Sequence, residues 1–308
     1  MKVSIIIATR NRADALEQIS LPSLAKQDFK DFEVIIWDAS DNDKSKIVVE
    51  NFIQSHPDMI VRYFKAPRVG LASQRNDAVK VAKGDIIFFI DDDSEVSSDG
   101  LSALNETFNI KDIVGVALPL KSTNILYNGV RAIVIKVILK IFFMGNMTST
   151  KSRVYLSGQC DDQFQFSGYV AHMAGGDMAF KREVFKDHYF EEGLQRFGGY
   201  ALYEDVQFTQ KLYREGKKLF ISDHGYVFHH QAEGGRLQQD AYFAADIYNR
   251  FIVWKTAVYP FKKYSIIFYL WSLFGTIILY SLAYLRHPKK NKYRFRGLRK
   301  GLKAIVFR

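Results

Sequence analysis

The chain has 308 residues, of which 48% are hydrophobic and 25% are charged, a composition typical of globular proteins with one large core or two modest ones. The formal net charge is +10 at pH 7, but residues 286–308 contain ten Lys and Arg and no Asp or Glu. The rest of the chain is therefore neutral, whereas a nucleic-acid-binding protein carries its basic patch on the folded domain, so we expect no nucleic-acid partner. A single cysteine, Cys160, excludes an internal disulfide and a cysteine-based zinc site, and it favours a reducing compartment.

The N-terminal segment begins directly with an apolar strand pattern, Val3–Ala8. This run is too short, and too soon followed by Arg10 and Arg12, to form a secretory signal peptide. We expect the catalytic part of the protein to stay in the cytosol.

Strand and helix patterns alternate through the first part of the chain. The strand-like runs are Val3–Ala8, Glu33–Trp37, Ile60–Phe64 and Ile86–Ile90, and the helix-like stretches pass through Leu16 and Leu24, around Ile47–Ile53 and over Leu71–Ala82. Repeated βα units predict a largely parallel, doubly wound α/β sheet. A Rossmann G-x-G-x-x-G fingerprint does not follow the first strand, which argues against a dinucleotide cofactor.

Three adjacent carboxylates end the fourth strand-like run. Asp91, Asp92 and Asp93 follow directly on Ile86–Ile90, and a fully apolar run of this kind is typical of a buried parallel strand. Ligands of open α/β sheets bind at the carboxyl ends of such strands. In an extended chain Asp91 and Asp93 face one side and Asp92 faces the other, so two of the three can share a divalent cation. The pattern indicates metal-assisted transfer from a diphosphate.

The sequence around the acidic triplet argues against two enzyme classes that also place acids at the end of a strand. A P-loop ATPase needs the phosphate-binding string G-x-x-x-x-G-K-S/T, which does not occur. A phosphatase of the haloacid dehalogenase type needs Thr or Val in the fifth position of its motif, where this chain has Glu95. A solvated acidic strand end is the structural alternative that stays open.

Two polar clusters stand out in residues 112–235, a region richer in Gly and aromatic residues. One is Gly175–Asp177, and the other is Tyr203–Asp205, which opens a helical pattern over Val206–Glu215. An ordinary tight turn explains the first cluster without any function. A favourable interaction with the helix dipole explains the second, and both alternatives stay open on the pattern alone.

Together these residues resemble a family 2 glycosyltransferase with the GT-A fold. The matching stretches occur in the family's order: Val3–Arg12, Glu33–Asp38, Gly70–Asn76, Asp91–Asp93, Gly175–Phe180 and Glu204–Asp205. The resemblance implies a GT-A type, Rossmann-like, mostly parallel α/β sheet with helices on both faces, plus C-terminal membrane-associated helices. We expect residues 1–111 to form the nucleotide-sugar-binding half, 112–235 the acceptor and catalytic half, and 236–308 a membrane-associating region.

The resemblance implies that one group of residues binds the nucleotide-sugar. Its members are Ala8, Thr9, Arg10, Asp38, Arg75, Asn76, Asp91 and Asp92. Asp38 can accept the imide proton of uracil or thymine, so it favours a pyrimidine nucleotide, and we expect a UDP-sugar.

A metal site is implied in the same way. Asp91, Asp93 and His229 are expected to bind Mg²⁺ or Mn²⁺, with His230 as the competing ligand. The cation neutralises charge on the leaving diphosphate.

Catalytic and acceptor-binding residues complete the implied site. Asp205 matches the general base that takes the proton of the acceptor hydroxyl, with Glu204 as the rival base. The residues expected to contact the acceptor are Gly175, Gly176 and Asp177.

Residues 265–285 form a stretch of 21 residues without a charge, which is ~32 Å long as a helix and enough to cross a bilayer core of ~30 Å. Both flanks are basic, with Lys262 and Lys263 before the stretch and the cationic tail after it, which argues for cytosol on both sides. We therefore expect a monotopic or re-entrant anchor at the cytoplasmic face of the cell membrane. A single transmembrane span is the alternative.

The C-terminal tail has an amphipathic pattern. Five apolar side chains recur at helical spacing among its Lys and Arg residues: Phe295, Leu298, Leu302, Ile305 and Val306. This is typical of a basic helix on an anionic membrane surface, and we expect residues 264–308 to bind that surface. The apolar run at 125–144 either docks on lipid as well or packs under the active site.

The function expected from these features is an inverting transfer of a sugar from a UDP-sugar to an acceptor held at the membrane. A polyprenyl-diphosphate-linked glycan of cell-surface polysaccharide or glycan assembly fits, because a soluble acceptor would not explain an anchor. Two alternatives stay open: transfer to a polyprenyl phosphate, and a catalytically silent scaffold subunit that binds sugar nucleotides. The sequence leaves the sugar, the receiving hydroxyl and the oligomeric state open.

Overall fold

The computed structural model describes residues 1–122, 137–145, 154–161, 167–230, 232 and 239–307. The chain divides into two compact units. The first unit comprises Met1–Asn124, Gln165–Phe190 and Lys217–Arg236, and the second comprises Ile125–Phe164, Glu191–Gly216 and Leu237–Arg308. The three functional parts expected from the sequence stay a prediction.

Strands and helices alternate in the first unit. Its strands are β1 (Val3–Thr9), β2 (Phe32–Asp38), β3 (Ile60–Lys65), β4 (Ile86–Asp91), β5 (Ser94–Val96), β6 (Ile113–Ala117), β7 (Leu120–Ser122), β8 (Gly168–Val170), β9 (Asp177–Lys181), β10 (Lys218–Ile221) and β11 (Val227–His229). Its helices are α1 (Ala13–Ala15), α2 (Leu21–Ala25), α3 (Lys44–Ser55), α4 (Leu71–Val81) and α5 (Gly100–Thr107), with a π-helical segment at Leu16–Ser20 and a 3₁₀ helix at Arg182–Lys186. The strands and helical stretches expected before the acidic triplet are confirmed.

Eight strands form one sheet in the order β3-β2-β1-β4-β9-β6-β10-β8, and a smaller sheet has the order β5-β11-β7. In the large sheet β8 and β9 run antiparallel to their neighbours, while the other pairings are parallel. The largely parallel α/β sheet expected from the sequence is confirmed.

The apolar residues of the central strands are completely buried. Val34–Ile36 of β2 and Ile86–Ile90 of β4 are at most 1% exposed, as expected for strands that are covered on both faces. The parallel register places Thr9 opposite Asp38, and β4 pairs with the other edge of β1. The carboxyl ends of β1, β2 and β4 therefore lie side by side.

The second unit is mainly helical over the residues described. Its longer helices are α6 (Glu204–Arg214), α7 (Gln239–Val253), α8 (Ile266–Arg286) and α9 (Pro288–Val306). Shorter segments are 3₁₀ helices at Glu192–Gln195 and Lys263–Ser265, a π-helical segment at Trp254–Val258 and a helical turn at 137–141. The helical pattern expected before Gly216 and the C-terminal helices are confirmed.

Two glycines bring the tail helix α9 against α7. A Cβ atom on Gly297 would overlap Phe243, and one on Gly301 would lie 2.7 Å from the Cβ atom of Ile247, so this close approach needs residues without a side chain. Leu298, which lies beside these glycines, is 5% exposed. One face of the tail helix is thus covered by protein, and Leu298 is not available to a membrane surface.

Helix α8 has an unusual distribution of polarity. It belongs to the 24-residue segment Lys263–Arg286, the one helix among the described residues that is long and apolar enough to cross a membrane. An 18-residue window of this segment has a mean hydropathy of 1.9. Its polar Ser272 and Thr276 are buried, whereas Ile267 and Leu270 are 68% and 55% exposed. A surface helix of a water-soluble protein has the opposite arrangement.

The apolar run expected at 125–144 is described only from residue 137 onward. Val137 and Ile141 are 51% and 54% exposed, and the ring of Phe142 lies 5.1 Å from that of Trp271 in α8. This short segment therefore extends the exposed apolar face of α8. The part at 125–136 lies outside the described residues.

Candidate active site

The carboxylates of the acidic triplet have different surroundings in the first unit. The Asp91 side chain is 34% exposed. Asp92, 3% exposed, accepts a hydrogen bond from the Thr9 hydroxyl at 2.7 Å. Asp93, 1% exposed, lies 3.1 Å from His229 (Oδ1 to Nε2). Because two of the three acids are buried, the alternative of a solvated strand end is wrong.

Arg12 bridges the two buried acids. Its Nη1 lies 2.8 Å from Oδ1 of Asp92, and its Nη2 lies 2.6 Å from Oδ2 of Asp93. Nη2 also donates to the carbonyl of Ala232 at 2.7 Å. The motif pattern predicts no separate role for Arg12. Its place three residues after the end of β1, the neighbour of β4, is the signal that points to it.

The two buried acids differ in their tendency to hold a proton. Burial raises the pKa of Asp92 to about 7, although Arg12 and Thr9 oppose this effect. Burial acts on Asp93 too, but the hydrogen bonds and charges of His229 and Arg12 outweigh it and lower the pKa of Asp93 to about 2. The hydrogen bond to Asp93 raises the pKa of His229 against the effect of burial. Asp93 is therefore anionic at neutral pH, whereas burial makes Asp92 easier to protonate and its contact with Arg12 opposes this.

Asp91, Asp93 and His229 offer three ligand atoms that lie within 4.8 Å of one another. Two carboxylates and an imidazole are a donor set that suits a divalent cation. The next residue, His230, has a different partner, because its Nε2 lies 2.8 Å from Oε2 of Glu95. The fold thus brings the imidazole of His229, and not that of His230, to the carboxylates of the acidic triplet.

Arg75 supports Asp91 from a buried position, with its side chain 2% exposed. Its guanidinium carbon lies 5.6 and 5.5 Å from the ring centroids of Phe89 and Phe190. Its Nη2 donates to Oδ1 of Asp91 at 3.2 Å and to the carbonyl of Gly175 at 2.9 Å. A planar guanidinium held between rings and acceptors cannot be replaced by the point charge of Lys. Arg75 therefore fixes Asp91 and the glycine turn together.

The glycine cluster lies directly beside the acids. A Cβ atom on Gly176 would lie 3.0 Å from Oδ2 of Asp91. Asp177 is 2% exposed and begins β9 opposite Ile90 of β4. The three residues expected to contact the acceptor are thus neighbours of the acidic triplet.

Asp38 is fully buried at the end of β2. Its Oδ1 accepts a hydrogen bond from the backbone N–H of Ser40 at 2.7 Å, and its Oδ2 accepts one from the Tyr63 hydroxyl at 2.8 Å. Two donors therefore fix the orientation of this carboxylate.

Gln74 links the ends of two strands, although no sequence pattern singles it out. Its Nε2 donates to the carbonyl of Thr9 at 3.1 Å and to the carbonyl of Trp37, the residue before Asp38, at 2.8 Å. Gln74 therefore ties the ends of β1 and β2 together.

The other residues expected at the nucleotide differ in exposure. Ala8 is half-buried in β1, and the Arg10 side chain is 39% exposed and lies 3.5 Å from Asp41 (Nη2 to Oδ2). Asn76 is 6% exposed, and its amide exchanges two hydrogen bonds with the backbone of Phe190 at 3.0 and 2.9 Å. Asn76 therefore fastens α4 to the segment that follows β9.

The second unit carries the two acids expected to act as a general base. Glu204 is 5% exposed, whereas Asp205 is half-buried and its Oδ1 accepts a hydrogen bond from the N–H of Val206 at 2.8 Å. Tyr203, immediately before them, has a φ of 72°. This left-handed conformation costs a bulky residue roughly 1–2 kcal/mol. The first turn of α6 therefore follows a strained residue.

A comparison with protein families finds that residues 4–189 match the model of "Glycosyl transferase family 2". Over 110 residues the chain is 37% identical to the "GalNAc(5)-diNAcBac-PP-undecaprenol beta-1,3-glucosyltransferase" of Campylobacter jejuni subsp. jejuni serotype O:2, a match that covers 35% of this chain and 35% of that protein. The chain thus spans about a third of the length of this curated relative.

Two solved structures share the fold. One is Staphylococcus aureus TarS 1–349 in complex with UDP-GlcNAc, with a TM-score of 0.56, 19% identity, and coverage of 82% of this chain and 66% of that one. The other is the mannosyltransferase PcManGT from Pyrobaculum calidifontis in complex with GDP-Man and Mn²⁺, with a TM-score of 0.58, 17% identity, and coverage of 98% of this chain and 87% of that one. These likenesses confirm the expected GT-A type fold.

A conservative change at Asn76 distinguishes a structural residue from one that contacts the nucleotide. In Asn76→Asp the amide donor becomes an oxygen that faces the carbonyl of Phe190. We expect the free energy of unfolding to fall by about 1–3 kcal/mol, because a buried acceptor loses its donor, and UDP affinity to stay unchanged. Thermal unfolding and UDP titration measure these two quantities. Asn109→Asp, at an exposed site, is the control, and a loss of UDP affinity without a loss of stability would contradict this structural role.

Proposed function

Since the chain belongs to glycosyl transferase family 2, we propose that it is an inverting glycosyltransferase that moves a sugar from a UDP-sugar to an acceptor held at a membrane. The observation that carries this proposal is the cluster of Asp91, Asp93 and His229 at the carboxyl end of β4. Its three ligand atoms are close enough together to surround one divalent cation.

The diphosphate of the donor is proposed to bind at this cluster. Asp91, Asp93 and His229 would hold Mg²⁺ or Mn²⁺, which neutralises charge on a leaving diphosphate. The donor set fits such a cation because Asp93 is held anionic by its surroundings. The presence of Mn²⁺ with GDP-Man in PcManGT supports this assignment. Arg12 and Arg75 hold the carboxylates in place from the protein side.

The nucleoside is proposed to lie along the ends of β1 and β2. The residues that would line it are Ala8, Thr9, Arg10, Asp38, Arg75 and Asp92, with Asp92 near the ribose. Asn76 is left out of this group because both polar atoms of its amide bind the backbone of Phe190. A carboxylate has about four acceptor sites, so Asp38 can accept the imide N–H of uracil while Ser40 and Tyr63 fix its orientation. We propose UDP as the donor nucleotide on the basis of this contact with the imide of uracil. The complex of TarS with UDP-GlcNAc supports this choice.

Asp205 is proposed as the general base and Glu204 as its rival. A base must reach the hydroxyl of the acceptor, and the half-buried Asp205 is better placed to do so than Glu204, which is 5% exposed. Removal of the proton as the acceptor oxygen attacks is typically worth ~10²–10⁴-fold in rate. A single displacement of this kind inverts the configuration at the anomeric carbon. Gly175, Gly176 and Asp177 are proposed to contact the acceptor.

The acceptor is proposed to be a polyprenyl-diphosphate-linked glycan in cell-surface polysaccharide or glycan assembly. The name of the Campylobacter relative describes a PP-undecaprenol-linked glycan as its substrate. The exposed apolar face of α8 gives a reason for an acceptor with a lipid tail, because such a face is stable next to lipid and unfavourable in water.

We propose that α8 is an interfacial anchor at the cytoplasmic face of the membrane. Residues 264–308 would lie against the anionic surface of that membrane. The exposed apolar residues of this region are Phe261, Ile266, Ile267, Leu270, Trp271, Phe274, Leu282 and Leu285, with Val137 and Ile141 beside them. Basic residues flank this face, with Lys262 and Lys263 at one end and the tail at the other. Apolar area with cationic margins is what an anionic lipid surface attracts.

The proposed activity is tested by transfer from UDP-sugars to a polyprenyl-diphosphate-linked glycan. We expect turnover that requires a divalent cation and a UDP-sugar, with inversion at the anomeric carbon. Asp205→Asn should lower kcat by ~10²–10⁴-fold, because the general base is lost, with little change in the KM of the donor. Product analysis by mass spectrometry and NMR measures transfer and configuration.

Each alternative has its own outcome in this assay. Turnover with a polyprenyl phosphate in place of the diphosphate-linked glycan would identify the other acceptor class. Turnover with GDP-sugars alone would contradict the role of Asp38. The absence of metal-dependent turnover with every donor, while UDP still binds, would identify a silent scaffold subunit.

The adjacent histidines provide a matched pair for the metal site. His229→Gln should weaken Mn²⁺ binding in the presence of UDP by at least ~10-fold, because an imidazole is lost beside Asp93. His230→Gln should leave Mn²⁺ binding unchanged, because His230 contacts Glu95 instead. Electron paramagnetic resonance of free Mn²⁺ measures the affinity without relying on turnover. Equal effects of the two substitutions would contradict the assignment.

The membrane face is tested by co-flotation with vesicles of zwitterionic and anionic phospholipid in equal parts. The double variant Ile267→Glu, Leu270→Glu should reduce the bound fraction several-fold, since two charges would face lipid. Ile47→Glu, at a position 54% exposed in the first unit, is the matched control. Unchanged flotation of the double variant would contradict this face. Protease access to the tail from the side of the catalytic part distinguishes the interfacial anchor from a single span over 265–285.

A further inference from the structure

We propose that Asp246 is a positioning residue for catalysis: its buried carboxylate holds Tyr203, and through it the turn of α6 that carries Asp205. The inference rests on the proposed role of Asp205 as the general base. All three residues belong to the second unit.

Asp246, in α7, is 2% exposed, and both of its oxygens accept short hydrogen bonds. Oδ1 accepts from the hydroxyl of Tyr203 and Oδ2 accepts from the hydroxyl of Tyr280, each at 2.6 Å. Arg250, one helical turn further along α7, places Nε 2.9 Å from Oδ1. A carboxylate with two hydroxyl donors and a cation cannot shift without breaking all three contacts. It is therefore a fixed point in the second unit.

The backbone of Tyr203 has an unfavourable conformation, so a side-chain contact is needed to hold it there. Its φ of 72° and ψ of 18° lie in the left-handed region, which bulky residues rarely adopt. Glu204, the next residue, begins α6. If Tyr203 relaxed to an ordinary negative φ, the first turn of α6 would change direction, and the carboxylate of Asp205 would move with it. The bond from the phenol to Asp246 opposes that relaxation.

A second side chain of α7 supports the same segment. Nδ2 of Asn249 donates to the carbonyls of Leu202 and Leu194, each at 2.8 Å. Asn249 follows Asp246 by three positions, so the two side chains lie on one face of the helix. Helix α7 therefore holds both the carbonyl before Tyr203 and the phenol of Tyr203 itself.

The Tyr203 phenol keeps its proton at neutral pH and acts as the donor. Burial first, and the charge of Asp246 second, raise the pKa of Tyr203 well above its usual value. Close contact between α6 and α7 alone would not need a charge here, since apolar side chains of similar volume stabilise a buried site at least as well as an ion pair. What the carboxylate adds is a directional acceptor at one defined place.

Tyr203→Phe tests the link by removing one hydroxyl and leaving the Arg250 and Tyr280 contacts of Asp246 intact. We expect kcat to fall by ~10–100-fold, as for a catalytic group displaced by about an ångström, while the KM of the donor and the affinities for UDP and Mn²⁺ stay unchanged. Tyr155→Phe is the matched control, because it removes a 2.8 Å bond from a tyrosine to Asp161 in the same unit. It should leave kcat unchanged.

The path through Asp205 is tested in a double variant. If Tyr203 acts by positioning the base, Tyr203→Phe should cause no further loss of kcat in an Asp205→Asn background. Asp246→Asn, which keeps the shape of the side chain, should reproduce the kcat loss of Tyr203→Phe if the variant folds.

The outcomes separate this inference from the proposed function. A large loss of kcat in Asp205→Asn with wild-type kcat in Tyr203→Phe would overturn the positioning role and leave the proposed base intact. Wild-type kcat in Asp205→Asn would overturn the base itself. Additive losses in the double variant, or a parallel rise in the KM of the donor in Tyr203→Phe, would show that Tyr203 acts elsewhere and would overturn the inference.

Discussion

Three consecutive carboxylates end β4 at a place where two of them have almost no contact with water, and the first unit is organised around this constraint. Buried charge is tolerated only when nearby groups compensate it. Here the compensating groups come from three directions: Arg12 from the end of β1, Arg75 from α4, and His229 from β11. These contacts fix which elements must meet at the carboxyl ends of the strands.

The small sheet explains how a histidine late in the sequence reaches the early acids. Strand β11 pairs antiparallel with β5, with His229 opposite Ser94, the residue that follows the acidic triplet. Side chains alternate along a strand, so His229 and His230 go to different partners. A register shift of one residue would exchange them. The register of a three-residue strand thus decides which histidine joins the acids.

Sequence predicts well those features that are continuous along the chain. The strands β1, β2 and β4 are apparent because burial on both faces leaves an unbroken apolar string. The roles of Arg12 and Asp246 depend on contacts between distant elements, which no local periodicity reports. A motif also gives the identity of a residue without its orientation, so Asn76 looks like a ligand contact although its amide meets the backbone of Phe190. In the sequence of the tail, Gly297 and Gly301 look like interruptions of an apolar pattern. Their close contact with α7 shows why glycine is needed at these two positions.

The carboxylate of Asp246 accepts one hydrogen bond from the residue that precedes α6 and one from Tyr280 of α8. A shortened version of the protein, cut before α8 to make it easier to handle in water, would lose Tyr280 and also the glycine contacts of α9 with α7. Such a deletion would loosen α7, the helix that supports the turn with the proposed general base. Poor turnover in a truncated protein would then reflect the displaced turn of α6 as well as the loss of the proposed membrane contact.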